Sequence, residues 1–464
     1  MAVCLAAGLL LGEGSRALRA FGVPVGIGTA CLVLAWIGKV TNRKITLPPR
    51  DGFLFVALAW VFSSALGALP FTLAGTMTYV DAFFETISGF TTTGASILTD
   101  IEVLPRSLLL WRSTTHWLGG MGIVVLTVAI LPLLGVGGLG LMEAETPGPS
   151  VDKITPRISS TAKILWLIYV ALTVLEIGLL MAGGLDWFDA VTHTFGTMAT
   201  GGFSPKNLSV GHYRSGYVDV VITVFMLAAG LNFSLYFKLL SGKAISVFRD
   251  SEARTYLGIF AAAALLIAWD LRRAGTFEGF GTALRYAGFQ ASSILTTTGF
   301  ATADFARWPP LSQTVLFLLM FIGGCAGSTG GGIKVIRIVF LSKMAFTEMK
   351  YLLNPRGIYG IFVDGKPLRK NIIYDTAAFV LLYIFLLLAT TLVVASGGYD
   401  ILTSLTASLA TVGNIGPGFG RVGPAFNYAF FQDGIKVWLS FAMLAGRLEI
   451  YTIFVLFTRA FWRR

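Results

Sequence analysis

Nine apolar runs of roughly bilayer length follow one another along the chain, at 23–37, 53–73, 108–134, 164–181, 218–237, 256–271, 311–340, 372–395 and 437–457. Glycines interrupt the seventh. A hydrocarbon core needs about 20 residues of helix to cross it, because each main-chain N–H and C=O must find its partner inside the segment. The pattern predicts an all-α integral membrane protein. Residues 1–11 are apolar but short, and no basic stretch precedes them as a signal peptide would require. A short first helix continuing into 15–20 is expected instead.

The polar positions carry two further patterns. Lys and Arg collect in alternate connections: Lys39, Arg43, Lys44 and Arg50; Lys153, Arg157 and Lys163; Lys238, Lys243, Arg249 and Arg254; eight between 334 and 370; and Arg459, Arg463 and Arg464, which makes 22 against nine in the opposite connections. The positive-inside rule puts the richer set, and the carboxyl terminus with it, in the cytoplasm. The opposite connections are long and share a motif. Asp81-Ala-Phe-Phe-Glu-Thr-Ile-Ser-Gly-Phe-Thr-Thr-Thr-Gly94 matches Tyr286-Ala-Gly-Phe-Gln-Ala-Ser-Ser-Ile-Leu-Thr-Thr-Thr-Gly299, and weaker copies end at Thr200-Gly201 and Thr411-Val412-Gly413.

Two apolar runs flank each copy, so the chain predicts four pseudo-repeats of span, re-entrant pore helix with filter loop, and span. About two helices precede them. The boundaries are an N-terminal helical hairpin at 1–50 and repeats at 51–140, 155–255, 256–350 and 371–464. A helix of about a dozen residues enters a bilayer without crossing it. Non-helical backbone at that depth must be buried in protein or line water. Four such loops about one axis make a pore.

Composition changes the picture only by exclusion. Charged residues make up 13% of the 464, against about 25% in soluble chains. The net charge of +11 follows from topology, so no nucleic-acid partner is implied. Cys4, Cys31 and Cys325 are too scattered for a disulfide framework, and His116, His193 and His212 lack metal-ligand spacing. No Walker A or dinucleotide fingerprint appears in a strand-to-helix context, so no organic cofactor is expected. The spans offer few acidic residues beyond Glu176 and Glu449, which argues against an intramembrane enzyme.

What the loops can do follows from their backbone. Rings of carbonyls replace a cation's hydration shell, and glycine lets them approach without a side chain in the way. Pore helices ending near mid-membrane turn their partly negative ends to the axis, which favours cations. Asp81 and Asp400 stand where carboxylates cap helices.

The run Ala68-Leu-Pro-Phe71 with Gly89-Phe-Thr-Thr-Thr-Gly-Ala95, Trp111-Arg112, Trp117-Leu-Gly-Gly-Met-Gly-Ile123, Pro156-Arg157, Gly201-Gly-Phe203, Thr296-Thr-Thr-Gly-Phe300, Gly327-Ser-Thr-Gly-Gly-Gly332, Gly413-Asn-Ile-Gly-Pro-Gly418 and Gly446-Arg-Leu-Glu449 resembles the Trk/Ktr/HKT potassium transporters, most closely their bacterial TrkH type. The resemblance implies channel-like K⁺ uptake across the bacterial inner membrane through four linked units that imitate a tetrameric channel. It also implies a homodimer of such pores and a cytosolic nucleotide-binding regulatory ring of TrkA or KtrA type. Surrounding lipid is the other partner. The implied K⁺ filter comprises Thr92, Thr93, Gly94, Thr200, Gly201, Thr297, Thr298, Gly299, Thr411, Val412 and Gly413. Plant relatives that prefer sodium often carry serine for the first glycine.

A gate is expected at Gly323, Gly324, Gly327, Ser328, Thr329, Gly330, Gly331 and Gly332. At about 1 kcal/mol per glycine relative to alanine, six glycines there make a poor helix interior. Family resemblance adds that this loop moves below the filter and that Arg447 stands in the pore. Glu449, two residues on, is turned away from Arg447 on the helix. Arg112 and His116 are expected as helix-end anchors or structural partners, and Trp111 and Trp117 as interfacial aromatics. The alternative function is an H⁺- or Na⁺-coupled secondary transporter with weak K⁺/Na⁺ selectivity. Inverted repeats would mark it, whereas these four enter from one side.

Overall fold

The computed structural model describes residues 1–41, 49–120, 122, 158–243, 245, 247, 249–368 and 370–463. The second half of the expected 108–134 span lies outside the described residues, with Met121, Ile123, Lys153, Pro156 and Arg157. So do Arg43, Lys44, Arg369 and Arg464. Apart from a two-stranded hairpin, β1 (Phe362–Val363) against β2 (Lys366–Pro367), the regular structure described is helical.

The amino terminus forms α1 (Ala2–Leu10) and α2 (Gly14–Thr41). They are not one continuous helix, because Gly12 turns the chain at φ 81° between them. A Cβ on Gly8 would lie 2.7 Å from that of Ala17, so the missing side chain lets α1 fold back on α2.

Four span–short helix–span units follow. The first is α3 (Pro49–Leu73), α4 (Tyr79–Phe90) and α5 (Arg106–Gly120). The second is α6 (Ile158–Ala182), α7 (Trp187–Met198), α8 (Gly216–Ala229) and α9 (Phe233–Leu240). Next come α10 (Ser251–Arg273), α11 (Phe280–Leu295), α12 (Pro310–Leu319) and α13 (Val335–Leu353). The fourth is α14 (Lys370–Ala395), α15 (Ile401–Val412), α16 (Asp433–Arg447) and α17 (Tyr451–Phe454), before the terminal α18 (Arg459–Trp462). Five described helices are long and apolar enough to cross a membrane, and two bent pairs raise the number to seven.

The short helices α4, α7, α11 and α15 run 12, 12, 16 and 12 residues. Three start on a side-chain cap: Thr78, Asp186 and Asp400 accept the amides of Asp81, Asp189 and Thr403, which would otherwise be unpaired at the helix end. Second spans pack on the short helix of a neighbouring unit, α5 on α7 and α8 on α11, and α16 returns to α4. There Lys436 Nζ meets Asp81 Oδ1 at 2.5 Å.

Two expected straight spans are broken. The 218–237 run bends by 94° between α8 and α9, and the 437–457 run by 114° after α16. In the first, Gly230 ends α8 and Asn232 caps α9 by accepting Ser234 N–H at 2.9 Å. In the second, Glu449 and Ile450 take left-handed φ of 58° and 54°. Hydropathy registers neither, because the apolar run continues through the bend.

Candidate ion pathway

Each short helix ends in the same way. The N–H groups of Thr93, Gly201, Thr298 and Ile415 reach back five residues to the carbonyls of Ser88, Gly196, Ser293 and Ala410, each at 2.8 Å. Those of Thr92, Thr200, Thr297 and Asn414 reach back three, to Gly89, Thr197, Ile294 and Thr411. This is a Schellman cap, and it needs a left-handed residue before the last donor. Glycine is the usual choice. Here the position is filled by Thr92, Thr200, Thr297 and Asn414, at φ 53°, 54°, 59° and 54°. A β-branched residue in that region costs of order 1–3 kcal/mol and persists only where its surroundings fix it.

The caps give the structural register of the loops. Two residues after each left-handed position stands a positive-φ glycine: Gly94, Gly202, Gly299 and Gly416, at 78°, 79°, 82° and 92°. Loops 1 and 3 therefore align as the sequence suggests, through Thr92, Thr93, Gly94 and Thr297, Thr298, Gly299. In loop 2 the counterpart of Gly94 is Gly202, one residue beyond Gly201, and Thr200 corresponds to Thr92 rather than to Thr93. In loop 4 it is Gly416, three beyond Gly413. Thr411 and Val412 close the helix, and Gly413 is its C-cap. Matching on the Thr–Gly string slipped there because Asn414 takes the left-handed position.

These glycines interlock in a circle. A Cβ on Gly94 would strike the carbonyl oxygen of Gly201; one on Gly202, that of Thr298; one on Gly299, that of Ile415. A Cβ on Gly416 would come within 2.6 Å of the Thr93 oxygen. Loop 1 thus abuts loop 2, which abuts 3, then 4, and 4 returns to 1. Main-chain oxygens and bare glycine Cα atoms alternate around a common centre.

Different side chains hold each loop from behind. Glu85 accepts Arg112 Nε at 2.6 Å and Ile97 N–H at 2.9 Å, while Arg112 also donates to the Ser204 carbonyl at 2.9 Å and lies over the Phe203 ring. His116 contacts the Gly89 carbonyl at 2.7 Å through Nδ1 and lies against Phe203. Both residues are buried scaffold between loops 1 and 2, as expected. His193 holds Ser204 Oγ at 2.9 Å, Ser293 donates to the Phe300 carbonyl at 2.6 Å, and the Tyr428 hydroxyl donates to the Gly416 carbonyl at 2.7 Å. Sequence reading missed both Tyr428 and Ser293: Tyr428 is uncharged and lies outside the repeated string, and Ser293, although it matches Ser88 within that string, carries no charge or ligand spacing to single it out.

The glycine-rich segment lies against the ends of the short helices. Thr329 Oγ1 donates to the carbonyls of Met198 at 3.1 Å and Ala229 at 3.2 Å, and Gly331 N–H donates to Thr297 Oγ1 at 2.7 Å. A Cβ on Gly330 would sit 3.2 Å from the Thr296 oxygen, and one on Gly331 2.5 Å from that of Gly413. The segment is folded on itself: Gly323 N–H bonds the Ile333 carbonyl, Val335 N–H that of Gly324, and Ser328 Oγ that of Cys325, with Gly327 and Gly332 at positive φ. It also repairs the α8–α9 bend, where Phe233 N–H reaches the Gly327 carbonyl at 3.0 Å and Cys325 N–H that of Gly230 at 2.8 Å. Two broken spans thus satisfy each other's main chain, as a membrane interior demands.

Arg447 ends α16 and donates to the carbonyls of Thr329 at 2.8 Å, Gly119 at 2.8 Å and Gly120 at 3.1 Å. Glu449 turns away and pairs with Arg337 at 2.6 Å. Lys334 is buried, its Nζ on the Gly330 carbonyl. Glu252, at the start of α10, accepts Ala326 N–H at 2.7 Å and Ile336 N–H at 2.9 Å on one oxygen, joining the two ends of the segment. Sequence reading missed Glu252 because it lies among ordinary charges at the start of a span.

Comparison with known proteins agrees with this architecture. A family model described as a cation transport protein, TrkH, matches residues 26–269 and 279–464. The Trk system potassium uptake protein TrkH of Salmonella typhimurium is 42% identical over 456 residues, covering 97% of this chain and 93% of that protein. TrkG of Escherichia coli, also a Trk system potassium uptake protein, is 38% identical over 431 residues, covering 91% and 88%. The crystal structure of the potassium transporter TrkH from Vibrio parahaemolyticus superposes with a TM-score of 0.86 at 38% identity, covering 99% of this chain and 96% of that one. The chain is a multi-pass membrane protein that belongs to the TrkH family of cation transporters, not to an enzyme family.

Proposed function

We propose that this protein takes up K⁺ through a passage at the centre of its four loops, driven inward by the membrane potential at about 2.3 kcal/mol per charge per 100 mV. The observation that carries the reading is the closed circle in which Gly94, Gly202, Gly299 and Gly416 each seat against the next loop's carbonyl. Such a circle presents main-chain oxygens on four sides, the arrangement that replaces a hydration shell. The potassium uptake named for the Salmonella and Escherichia relatives supports the choice of ion.

In this reading the filter is formed at Thr92, Thr93, Gly94, Thr200, Gly201, Gly202, Thr297, Thr298, Gly299, Asn414, Ile415 and Gly416. Residues 323–334 and Arg447 gate it from below. Arg447 sets a positive charge on the ion's path and also pins the segment by its bond to Thr329. Opening requires both to shift. The protein works in the bacterial inner membrane as a homodimer with a cytoplasmic carboxyl terminus, and a cytosolic nucleotide-binding ring biases the gate. Four units of like orientation favour a pore over a rocking carrier, whose halves would be inverted.

The test is ion flux into vesicles containing the purified protein under a K⁺ gradient, with Rb⁺, Na⁺ and Li⁺ compared. K⁺ and Rb⁺ should pass at least tenfold faster than Na⁺ and Li⁺, a difference of about 1.4 kcal/mol. Equal passage of all four would remove the filter.

A further inference from the structure

Beside the glycine-rich segment lies a cavity of about 1490 Å³ that takes no part in the ring. Its wall is a closed circuit of hydrogen bonds. Glu252 on α10 holds Ile336 at the start of α13. From α13, Lys343 Nζ donates to the Phe362 carbonyl in β1 at 2.6 Å. The hairpin turn then comes back to α10, where Asp364 accepts the N–H of Ser251, next to Glu252, at 2.9 Å.

Lys238, Lys243, Arg249, Arg254 and Lys343 line this space. The three acidic groups in the wall are already engaged by main-chain donors: Asp250 accepts Ala253 N–H at 2.9 Å, Asp364 that of Ser251, and Glu252 those of Ala326 and Ile336. Arg249 and Arg254 are exposed and enter none of the ion pairs found among the described residues. Topology accounts for the sign of these residues. It does not account for a braced chamber, larger than the roughly 300–1,000 Å³ of most ligand pockets, with an excess of guanidinium and ammonium groups.

We infer that this cavity binds a phosphate-bearing polyanion through Arg249 and Arg254, and that occupancy braces α10 against α13 and slows ion flow. Guanidinium forks suit phosphate oxygens in paired hydrogen bonds. A ligand bridging the basic groups reinforces the two helices that Glu252 already joins, and with them both ends of the glycine-rich segment. The effect on flow rests on reading that segment as the gate. The phosphate can come from a soluble molecule or from an anionic lipid headgroup, since basic pockets between spans hold both.

Full-length protein in phosphatidylcholine nanodiscs, titrated with pyrophosphate in a calorimeter, tests the soluble source. Nanodiscs containing phosphatidylglycerol, with retained lipid counted by native mass spectrometry, test the other. At least one probe should bind, and Arg249→Gln with Arg254→Gln should weaken it about tenfold or more. In vesicles the bound probe should slow K⁺ flux about threefold in the wild type and not in Glu252→Ala, which loses the acceptor for both amides. Glu252→Gln keeps an oxygen there and should restore the response. Binding of neither probe, or equal binding to the double variant, overturns the site; a bound probe that leaves flux unchanged, or slows Glu252→Ala equally, overturns the bracing. Because the binding arms read no ion flow, a chain that conducted no potassium would refute the proposed function and leave the site to its own result.

Discussion

Four loops leave their helices through one and the same cap, with a left-handed residue followed two places later by a glycine, whereas the layer against them, 323–334 with Arg447, occurs once and is contributed mainly by the third unit. The ring has near-fourfold geometry from unequal sequences. The adjoining layer has no symmetry, and a single segment reaches three of the short helices through Thr329, Gly330 and Gly331. Repetition suits a task in which an ion must meet similar oxygens on every side. A singular element suits movement, because one segment can shift without breaking four caps. Ring substitutions should therefore change which ion passes, and substitutions in the layer how fast it passes.

The largest effect should come from Glu85→Ala, which leaves Arg112 buried without its carboxylate. Breaking a buried pair costs about 3–5 kcal/mol. Thermal unfolding in detergent should show a marked loss of stability, and an unchanged Tm would mean that loop 1 does not depend on this scaffold. Next, Gly94→Ser drives a Cβ into the Gly201 carbonyl and should lower the K⁺/Na⁺ flux ratio at least tenfold, about 1.4 kcal/mol. An unaltered ratio in a folded protein would take Gly94 out of the filter.

Changes in the layer should be smaller and of the other kind. Arg447→Ala removes a charge and its bonds to three carbonyls, and should raise flux about fivefold, near 1 kcal/mol, with the ion ratio kept within about twofold. A lower or equal rate would discredit the barrier. Thr329→Val, which loses the hydroxyl bonds to Met198 and Ala229, should raise flux only about twofold; a shifted ion ratio would blur the division between the two regions. The smallest effect concerns the amino-terminal end of α15. Hydrogen bonds from the Thr403 hydroxyl and amide hold the Asp400 carboxyl below its usual range. Its capping contribution is therefore present at neutral pH and is lost as pH falls through that lowered value. Asp400→Asn should erase this step from the pH dependence of thermal unfolding, and an identical profile would assign the acid response elsewhere.

Much of this arrangement was legible from residues alone, and the failures are instructive. Apolar runs gave the spans because bilayer thickness sets their length. Loops 1 and 3 were readable because three threonines precede each glycine. Loops 2 and 4 slipped for different reasons: in loop 2 Gly201 stands where loop 1 has Thr93, so Thr200-Gly201 imitates Thr93-Gly94 one residue early, and in loop 4 Asn414 takes the left-handed place of a threonine, equivalent in shape but not in letters. The bends at Asn232 and Glu449 went unseen for a related reason. Hydropathy counts side chains, while the breaks are decided by which distant main chain is ready to pair with them, as Gly327 is for Phe233. Glu252 was hidden altogether, since its role exists only once Ala326 and Ile336 have been brought to one carboxylate oxygen.

Joining the four loops in one polypeptide has an evolutionary consequence. In an assembly of identical subunits, a codon change strikes every quarter of the opening at once, and most such quadruple lesions would be ruinous. Here a mutation alters one quadrant and leaves three intact, so ionic preference can drift in graded steps, each open to selection before the next arises.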